Sequence, residues 1–251
     1  MTYENKLKQV DALQEQINQL RPLDRDALLQ LRAYYRIGLT YSSNALEGNT
    51  LTESETKVVL EDGITVSGKP LRDHLEAIGH SEALNRVYEL AQSQSIAEKD
   101  ILDLHRLFYY RIDADNAGRY RSKPVIITGT TFVPPSPSKV PAEMKAFVAQ
   151  IPQQRDALHP VLFAAWLHIR LATIHPFIDG NGRAARLLMN LALMQAGYPV
   201  TIIPPLVRGD YIAALQASNR GDNVPFNILL TNMVWEAQRE YLRLIQSLQE
   251  E

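Results

Sequence analysis

The chain has 251 residues, with 26 Lys and Arg against 28 Asp and Glu and a formal net charge of −2 at pH 7. Hydrophobic residues make up 45% and charged residues 22%, enough for a sizeable core and too little net charge for disorder, while the near-neutral balance lacks the basic excess that a phosphate backbone attracts. There is no cysteine, so disulfide scaffolds, thiolate zinc sites and cysteine nucleophiles are excluded, and any metal must sit on oxygen or imidazole ligands.

Apolar residues recur at helical spacing almost everywhere, beginning with Leu7, Val10, Leu13, Ile17 and Leu20. The pattern predicts a mostly helical protein with helices over about 4–20, 23–47, 53–62, 70–92, 97–109, 139–151, 159–174, 181–196, 208–218 and 225–248. Charges spread through residues 1–20 leave no apolar core of a secretory leader, and no stretch is long and apolar enough for a bilayer. The expected location is therefore cytoplasmic, with neither membrane nor nucleic acid as partner.

The second helix ends in Ser42-Ser43-Asn44-Ala45-Leu46-Glu47-Gly48-Asn49, which puts Ser43 and Glu47 four apart on one face and Glu47 at a helix C-terminus. The dipole there disfavours an anion, so Glu47 either seeks a cation elsewhere or is an ordinary solvated carboxylate near a cap. Further on, Asp113 to Gly118 begins like a calcium loop, but Ala117 and Pro124 stand at its fifth and twelfth positions, where a ligand is required. Between Pro124 and Pro135 the periodicity changes: Val125-Ile126-Ile127 and Phe132-Val133 flank Thr128-Gly129-Thr130, which reads as a β-hairpin. Such a ribbon is marginal alone, so it is either packed on the body or kept open to accept an extended chain.

The densest cluster of functional residue types is His175-Pro176-Phe177-Ile178-Asp179-Gly180-Asn181-Gly182-Arg183-Ala184-Ala185-Arg186, between two apolar helices. Ala184, Leu187, Leu188, Leu191 and Met194 mark a buried face of the second helix, and Arg183 and Arg186 project from its first turns. Small residues at the helix start expose successive N–H groups that attract an anion. Asp or Asn with Gly also makes an ordinary helix start, and two Arg are usually a solvated face. Cations in a first turn oppose the dipole, however, and that favours a polyphosphate site. Asp179 is a carboxylate suited to Mg²⁺, and His175, with an ordinary pKa near ~6.5, suits a general base. His168 lies in an apolar stretch with no third ligand in prospect, and His74, His80, His105 and His159 show no ligand spacing.

HPFIDGNGRAAR resembles the motif HxFx(D/E)GNGRxxR of the Fic family, whose members transfer AMP from ATP to protein hydroxyls. Ala117-Gly118-Arg119-Tyr120-Arg121 is similar to the segment this family places ahead of a flap, and SNALEG resembles its inhibitory motif (S/T)xxxE(G/N). The likeness runs from about Thr40 to Phe226 and is strongest toward the animal endoplasmic-reticulum branch. It implies an all-α Fic fold with a small β-hairpin flap, residues 1–95 forming an N-terminal helical region with the inhibitory motif and 96–251 the catalytic core and C-terminal helices, in one compact unit.

The resemblance also implies roles. His175 would be the base, Asp179 would hold Mg²⁺, and Gly180, Asn181, Gly182, Arg183 and Arg186 would bind the ATP phosphates. Asn219 and Tyr211 would contact adenine, Thr130, Thr131 and Phe132 of the flap would hold the target, and Leu71 would lie in a homodimer contact. Glu47, with Ser43 on the same inhibitory helix, would pair with Arg186 and restrain the enzyme. The expectation is an autoinhibited protein adenylyltransferase using ATP and Mg²⁺ on a Ser, Thr or Tyr hydroxyl of a target protein, which could be itself or a chaperone. The alternatives are a hydrolase that removes AMP through Glu47 and a non-catalytic, nucleotide-sensing dimer.

Overall fold

The computed structural model describes residues 3–127 and 130–249. Ten α-helices follow in order: α1 Tyr3–Gln19, α2 Arg25–Ala45, α3 Glu53–Lys57, α4 Leu71–Leu90, α5 Glu98–Tyr109, α6 Val140–Ala157, α7 Pro160–Ile174, α8 Asn181–Gln195, α9 Arg208–Ser218 and α10 Val224–Gln249. α7 and α8 form the centre. Nearly every residue of α8 is buried, and α7 is apolar on most of its circumference, as a helix enclosed on all sides must be. α4 and α5 pack together on one flank and both touch α8, α6 packs on α7, and α10 lies on α7 and α9 while carrying α1. The apolar cluster therefore runs without interruption from Val10 to Ile245.

Local chemistry sets several boundaries. Asp24 caps α2 by accepting from the Ala27 N–H at 2.8 Å. Thr52 and Glu55 form a reciprocal capping box at the start of α3, at 3.2 and 2.7 Å. The helix expected over 53–62 widens after Lys57 into a π-helical turn, Val58–Asp62, and stops at Gly63. α6 continues beyond the expected stop at 151 and through Pro152 to Ala157. Its last turn is held from outside, because Arg155 donates to Gln195 Oε1 at 2.7 Å and lies over the Phe163 ring.

The expected hairpin is not found. Among the described residues there is no strand, and residues 124–127 and 130–136 run as irregular chain, with Thr128 and Gly129 outside the described residues. Pro124, Pro134 and Pro135 lack ladder donors, and the Phe132 N–H is taken by Thr130 Oγ1 at 3.1 Å. Ile126 and Val133 are 95% and 83% exposed, so no buried face repays pairing. Arg121 ties the base of this flap: it donates to Lys123 O at 3.3 Å on one side and to Pro135 O at 2.5 Å on the other.

Two close approaches bring the flank against the centre. A Cβ at Gly79 in α4 would lie 2.6 Å from the Phe108 carbonyl oxygen of α5, and a Cβ at Gly180 would lie 2.6 Å from the Phe108 ring. Gly180 also has φ 76°, so both sterics and backbone require glycine there. Gly79→Ala should push α4 off α5, destabilising the fold by about 1–3 kcal/mol in thermal or denaturant unfolding.

Candidate active site

α7 ends at Ile174, and His175 turns the chain with φ 52° and ψ 57° while its N–H still bonds Leu171 O at 2.9 Å. It is the one non-glycine residue at positive φ among the described residues, a conformation that the surroundings must enforce. Arg121 supplies part of that force, with Nε donating to His175 O at 2.8 Å and its N–H to Pro176 O at 2.9 Å. The His175 ring lies with Nδ1 3.3 Å from Ala172 O, so Nδ1 carries the proton and Nε2 keeps its lone pair. Burial is the largest influence on this imidazole and lowers its pKa, which keeps the ring neutral at pH 7.

The loop after His175 is closed by Asn181. Its Oδ1 accepts from Phe177 N and its Nδ2 donates to Phe177 O, both at 2.9 Å. The Asn181 carboxamide thus closes the loop, and its backbone N–H lies in the first turn of α8. Phe177 stacks on His105 with centroids 3.7 Å apart. His105 Nδ1 accepts from the Gly118 N–H at 2.9 Å, so Nε2 donates to Asp179 O at 3.1 Å, and burial pulls its pKa down to about 4. One neutral histidine therefore joins α5, the segment before the flap and the motif loop.

Arg183 and Arg186 are each 2% exposed and reach from the start of α8 to the end of α2. Arg186 donates from Nε to Ser43 Oγ at 3.0 Å, from Nη2 to Ser43 O at 2.8 Å and from Nη1 to the Tyr211 hydroxyl at 3.1 Å. Its Nη2 also pairs with Glu47 Oε1 at 2.7 Å. Burial alone would raise the Glu47 pKa, but Arg186 outweighs it and holds the carboxyl below its usual range. The Tyr211 hydroxyl, having accepted from Arg186, lies 3.1 Å from His168 Nε2, and the His168 pKa, pushed down to about 3 chiefly by burial, leaves that nitrogen an acceptor. Arg183 pairs with Glu76 Oε1 at 2.9 Å and lies over the Phe108 ring. Cations misplaced for the dipole of α8 thus serve the carbonyl end of α2, where Arg208 also donates to Leu46 O at 2.9 Å.

Asp179 lies to one side, 45% exposed. Its Oδ1 accepts from Gly180 N at 2.6 Å, and its Oδ2 pairs with Arg72 Nη2 at 2.7 Å and more distantly with Arg183. Burial acts to raise its pKa, yet Arg183, the Gly180 N–H and Arg72 together hold it low, so it is ionised. Among the described residues no three His, Asp or Glu side chains converge on a metal position. A cation here would take a single carboxylate and complete its shell from phosphate oxygens and water, a donor set that fits Mg²⁺.

A cavity of about 150 Å³ opens beside His175. Glu47, Asn181 and Gly182 line one side, Ile127 and Thr130 of the flap another, and Ala172, Tyr211, Ile212, Leu215, Gln216 and Asn219 the floor. Asn219 caps α9 and accepts from Thr173 Oγ1 at 3.4 Å. Thr131 is exposed and Phe132 half-buried on the flap beyond. Leu71 is away from the cavity, 66% exposed on the first turn of α4. Sequence reasoning missed Glu76 and Arg72 on α4, His105 on α5 and the tethering role of Arg121. A signal existed only for Glu76, a carboxylate on a helix face otherwise marked by Ala77 and His80. The loop after Glu47 is also tied to α4, since Asn49 Nδ2 donates to Glu76 Oε2 and Asp73 O, both at 3.0 Å, and Thr50 N donates to Asp73 Oδ2 at 2.7 Å.

Residues 95–193 match the Fic/DOC family model. The chain is 43% identical to protein adenylyltransferase Fic of Nematostella vectensis over 189 residues, 74% of this chain and 44% of that protein. It is 38% identical to the protein of the same name from Drosophila persimilis over 225 residues, 89% of this chain and 42% of that one. It thus spans less than half the length of these relatives. Among solved structures, Fic-1 of C. elegans superposes with a TM-score of 0.88 at 31% identity, covering 98% of this chain and 73% of that one. A Fic domain containing signaling protein from Bacteroides thetaiotaomicron gives a TM-score of 0.87 at 31% identity, covering 95% of this chain and 98% of that one.

Glu47 is the anionic partner of the buried Arg186. Glu47→Ala should lower stability by about 1–3 kcal/mol, the range for a buried charged donor left short of an acceptor, with the lower end favoured because Glu47 is partly exposed. ATP should then raise the melting temperature of the variant by more than it raises that of the wild type, as thermal denaturation would register.

Proposed function

The chain belongs to the Fic/DOC family, and on that premise we propose that it is a protein adenylyltransferase that moves AMP from ATP to a Ser, Thr or Tyr hydroxyl of a target protein and restrains itself through Glu47. The observation that carries this reading is the convergence of a neutral His175 and the N-terminus of α8 on one cavity whose wall includes Glu47, the ion-pair partner of the buried Arg186.

In this reading the target oxygen attacks the α-phosphorus, the bond to the β-phosphate breaks, and pyrophosphate leaves. His175 Nε2 takes the hydroxyl proton, and the Nδ1 contact to Ala172 O keeps the ring oriented for it. The first-turn N–H groups of α8 cradle the phosphate chain, and Arg183 and Arg186 neutralise its far end. Asp179 would hold Mg²⁺, which supplies further charge neutralisation on the phosphates. The base sits on the apolar floor of Ala172, Ile212 and Leu215 with Asn219 at its edge, while Tyr211, whose hydroxyl serves Arg186, contributes its ring. Thr130, Thr131 and Phe132 present backbone to an extended target segment, so that pairing forms only when the target supplies the second strand.

Glu47 occupies the Arg186 position that a γ-phosphate needs, so ATP enters in a pose unfit for attack until Glu47 leaves. The hydrolytic alternative ranks second, because a carboxyl held low by Arg186 is a weak base. Exposed Leu71 suits a contact between two copies. No helix among the described residues is long and apolar enough to cross a membrane.

With ATP labelled at the α-phosphate, Glu47→Gly should increase incorporation into protein by more than about tenfold, a barrier change of about 1.4 kcal/mol, and His175→Ala should abolish it. Equal labelling of wild type and Glu47→Gly would remove the brake from the account. A base needs its neutral form, and a lowered pKa extends that form to more acid pH. The acidic limb of the pH–rate profile of Glu47→Gly should therefore fall below pH 6.5, the ordinary value for imidazole.

A further inference from the structure

The Asp179 carboxylate is met by a cation that the chain itself provides from far away in sequence. Arg72, in the first turn of α4, donates from Nη2 to Asp179 Oδ2 at 2.7 Å and from Nε to Glu76 Oε1 at 3.0 Å. A cation in a first turn opposes the dipole of its own helix, so what holds the arginine there is its two carboxylates, Asp179 and the i,i+4 partner Glu76. The side chain is 54% exposed on a flexible stem, unlike the buried Arg183 and Arg186.

The two carboxylates depend on Arg72 unequally. Glu76 has other partners, with Arg183 Nη1 at 2.9 Å on Oε1 and Asn49 Nδ2 at 3.0 Å on Oε2. Asp179 Oδ1 is committed to the Gly180 N–H at 2.6 Å, while Oδ2 has Arg72 at 2.7 Å and otherwise only Arg183 at 3.8 Å. Departure of Arg72 therefore leaves Glu76 satisfied and frees one oxygen, Asp179 Oδ2, beside the start of α8. A divalent cation bound at that oxygen would lie against the Arg72 guanidinium, now 2.7 Å from it, and the two positive charges would repel each other.

We propose that Arg72 is an internal counter-cation for Asp179: it holds the carboxylate in place when no metal is bound and must be displaced for a divalent cation to bind, so it lowers the metal affinity of the nucleotide site. This rests on Asp179 being the metal carboxylate. Arg72 is a positioning residue in this scheme and touches neither ATP nor the attacking hydroxyl.

The test is the factor by which saturating Mn²⁺ tightens ADP binding, from titration calorimetry of the full chain in Mn²⁺ and in EDTA. ADP ends before the γ-position, so the measurement is independent of Glu47. In Arg72→Gln the factor should rise about three- to fivefold, the scale of one exposed ion pair, with the EDTA affinity unchanged. Arg86→Gln, which removes a remote surface cation, should match wild type, and Asp179→Asn should lose most of the factor. Should Arg72→Gln misfold, Arg72→Met gives the same comparison. An Arg72 variant with the wild-type factor or a smaller one, beside an Asp179→Asn that has lost it, overturns the proposal while leaving Asp179 as metal carboxylate. Weaker ADP binding of the variant in EDTA also overturns it, since Arg72 would then be a phosphate ligand. If Asp179→Asn keeps the wild-type factor, the metal assignment itself fails and the proposal with it.

Discussion

A buried guanidinium needs acceptors for its donors, and Arg186 finds four, from two helices and the turn that follows α2. Ser43 of α2 offers its hydroxyl and carbonyl, Tyr211 of α9 its hydroxyl, and Glu47 its carboxylate. These bonds fix the end of α2, the start of α8 and the inner face of α9 relative to one another. The histidines near this cation, His80 and His168, are pushed down to about 3, first by burial and then by Arg186, so they add no competing charge. Of the four acceptors only Glu47 is ionic and partly exposed. An incoming anion therefore meets a cation already oriented by neutral partners and needs to replace just one of them.

The same economy holds His175. A left-handed histidine stores backbone strain, and it persists because Arg121, Asn181 and His105 bind the surrounding carbonyls and amides so that the loop has no relaxed alternative. Two of these three belong to segments remote from the loop. The His175 imidazole is thus oriented by the tertiary structure while its protonation state follows from burial. Arg121 couples it to the flap, since the side chain that bonds His175 O also bonds both ends of that segment.

Helices were legible wherever an apolar stripe faced one core, as in α1, α4, α8 and α10, and the contiguous stretch from His175 to Arg186 announced a loop followed by a helix with two arginines near its start. The departures have local causes. Val125-Ile126-Ile127 and Phe132-Val133 around Thr128-Gly129-Thr130 read as a hairpin because β-branched and aromatic runs assume a face to bury, whereas Ile126 and Val133 face solvent and prolines remove donors. Pro152 read as a stop because a missing N–H weakens a helix, yet Arg155 secures the next turn from outside. What the place of Asn181 in the motif did not reveal is that its carboxamide also closes the loop on Phe177.

The sequence by itself determined the helical class, most helix positions, the absence of thiol chemistry, and the grouping of His175, Asp179, Arg183 and Arg186 around one helix start. These follow from periodicity and dihedral preference, which act over a few residues. Only the tertiary structure decided that Arg183 meets Glu76, that His105 joins Gly118 to Asp179, and that Arg72 meets a carboxylate 107 positions away. Such partners are chosen by which polar atoms the packed core brings within bonding distance once water is gone, and no local pattern encodes that choice.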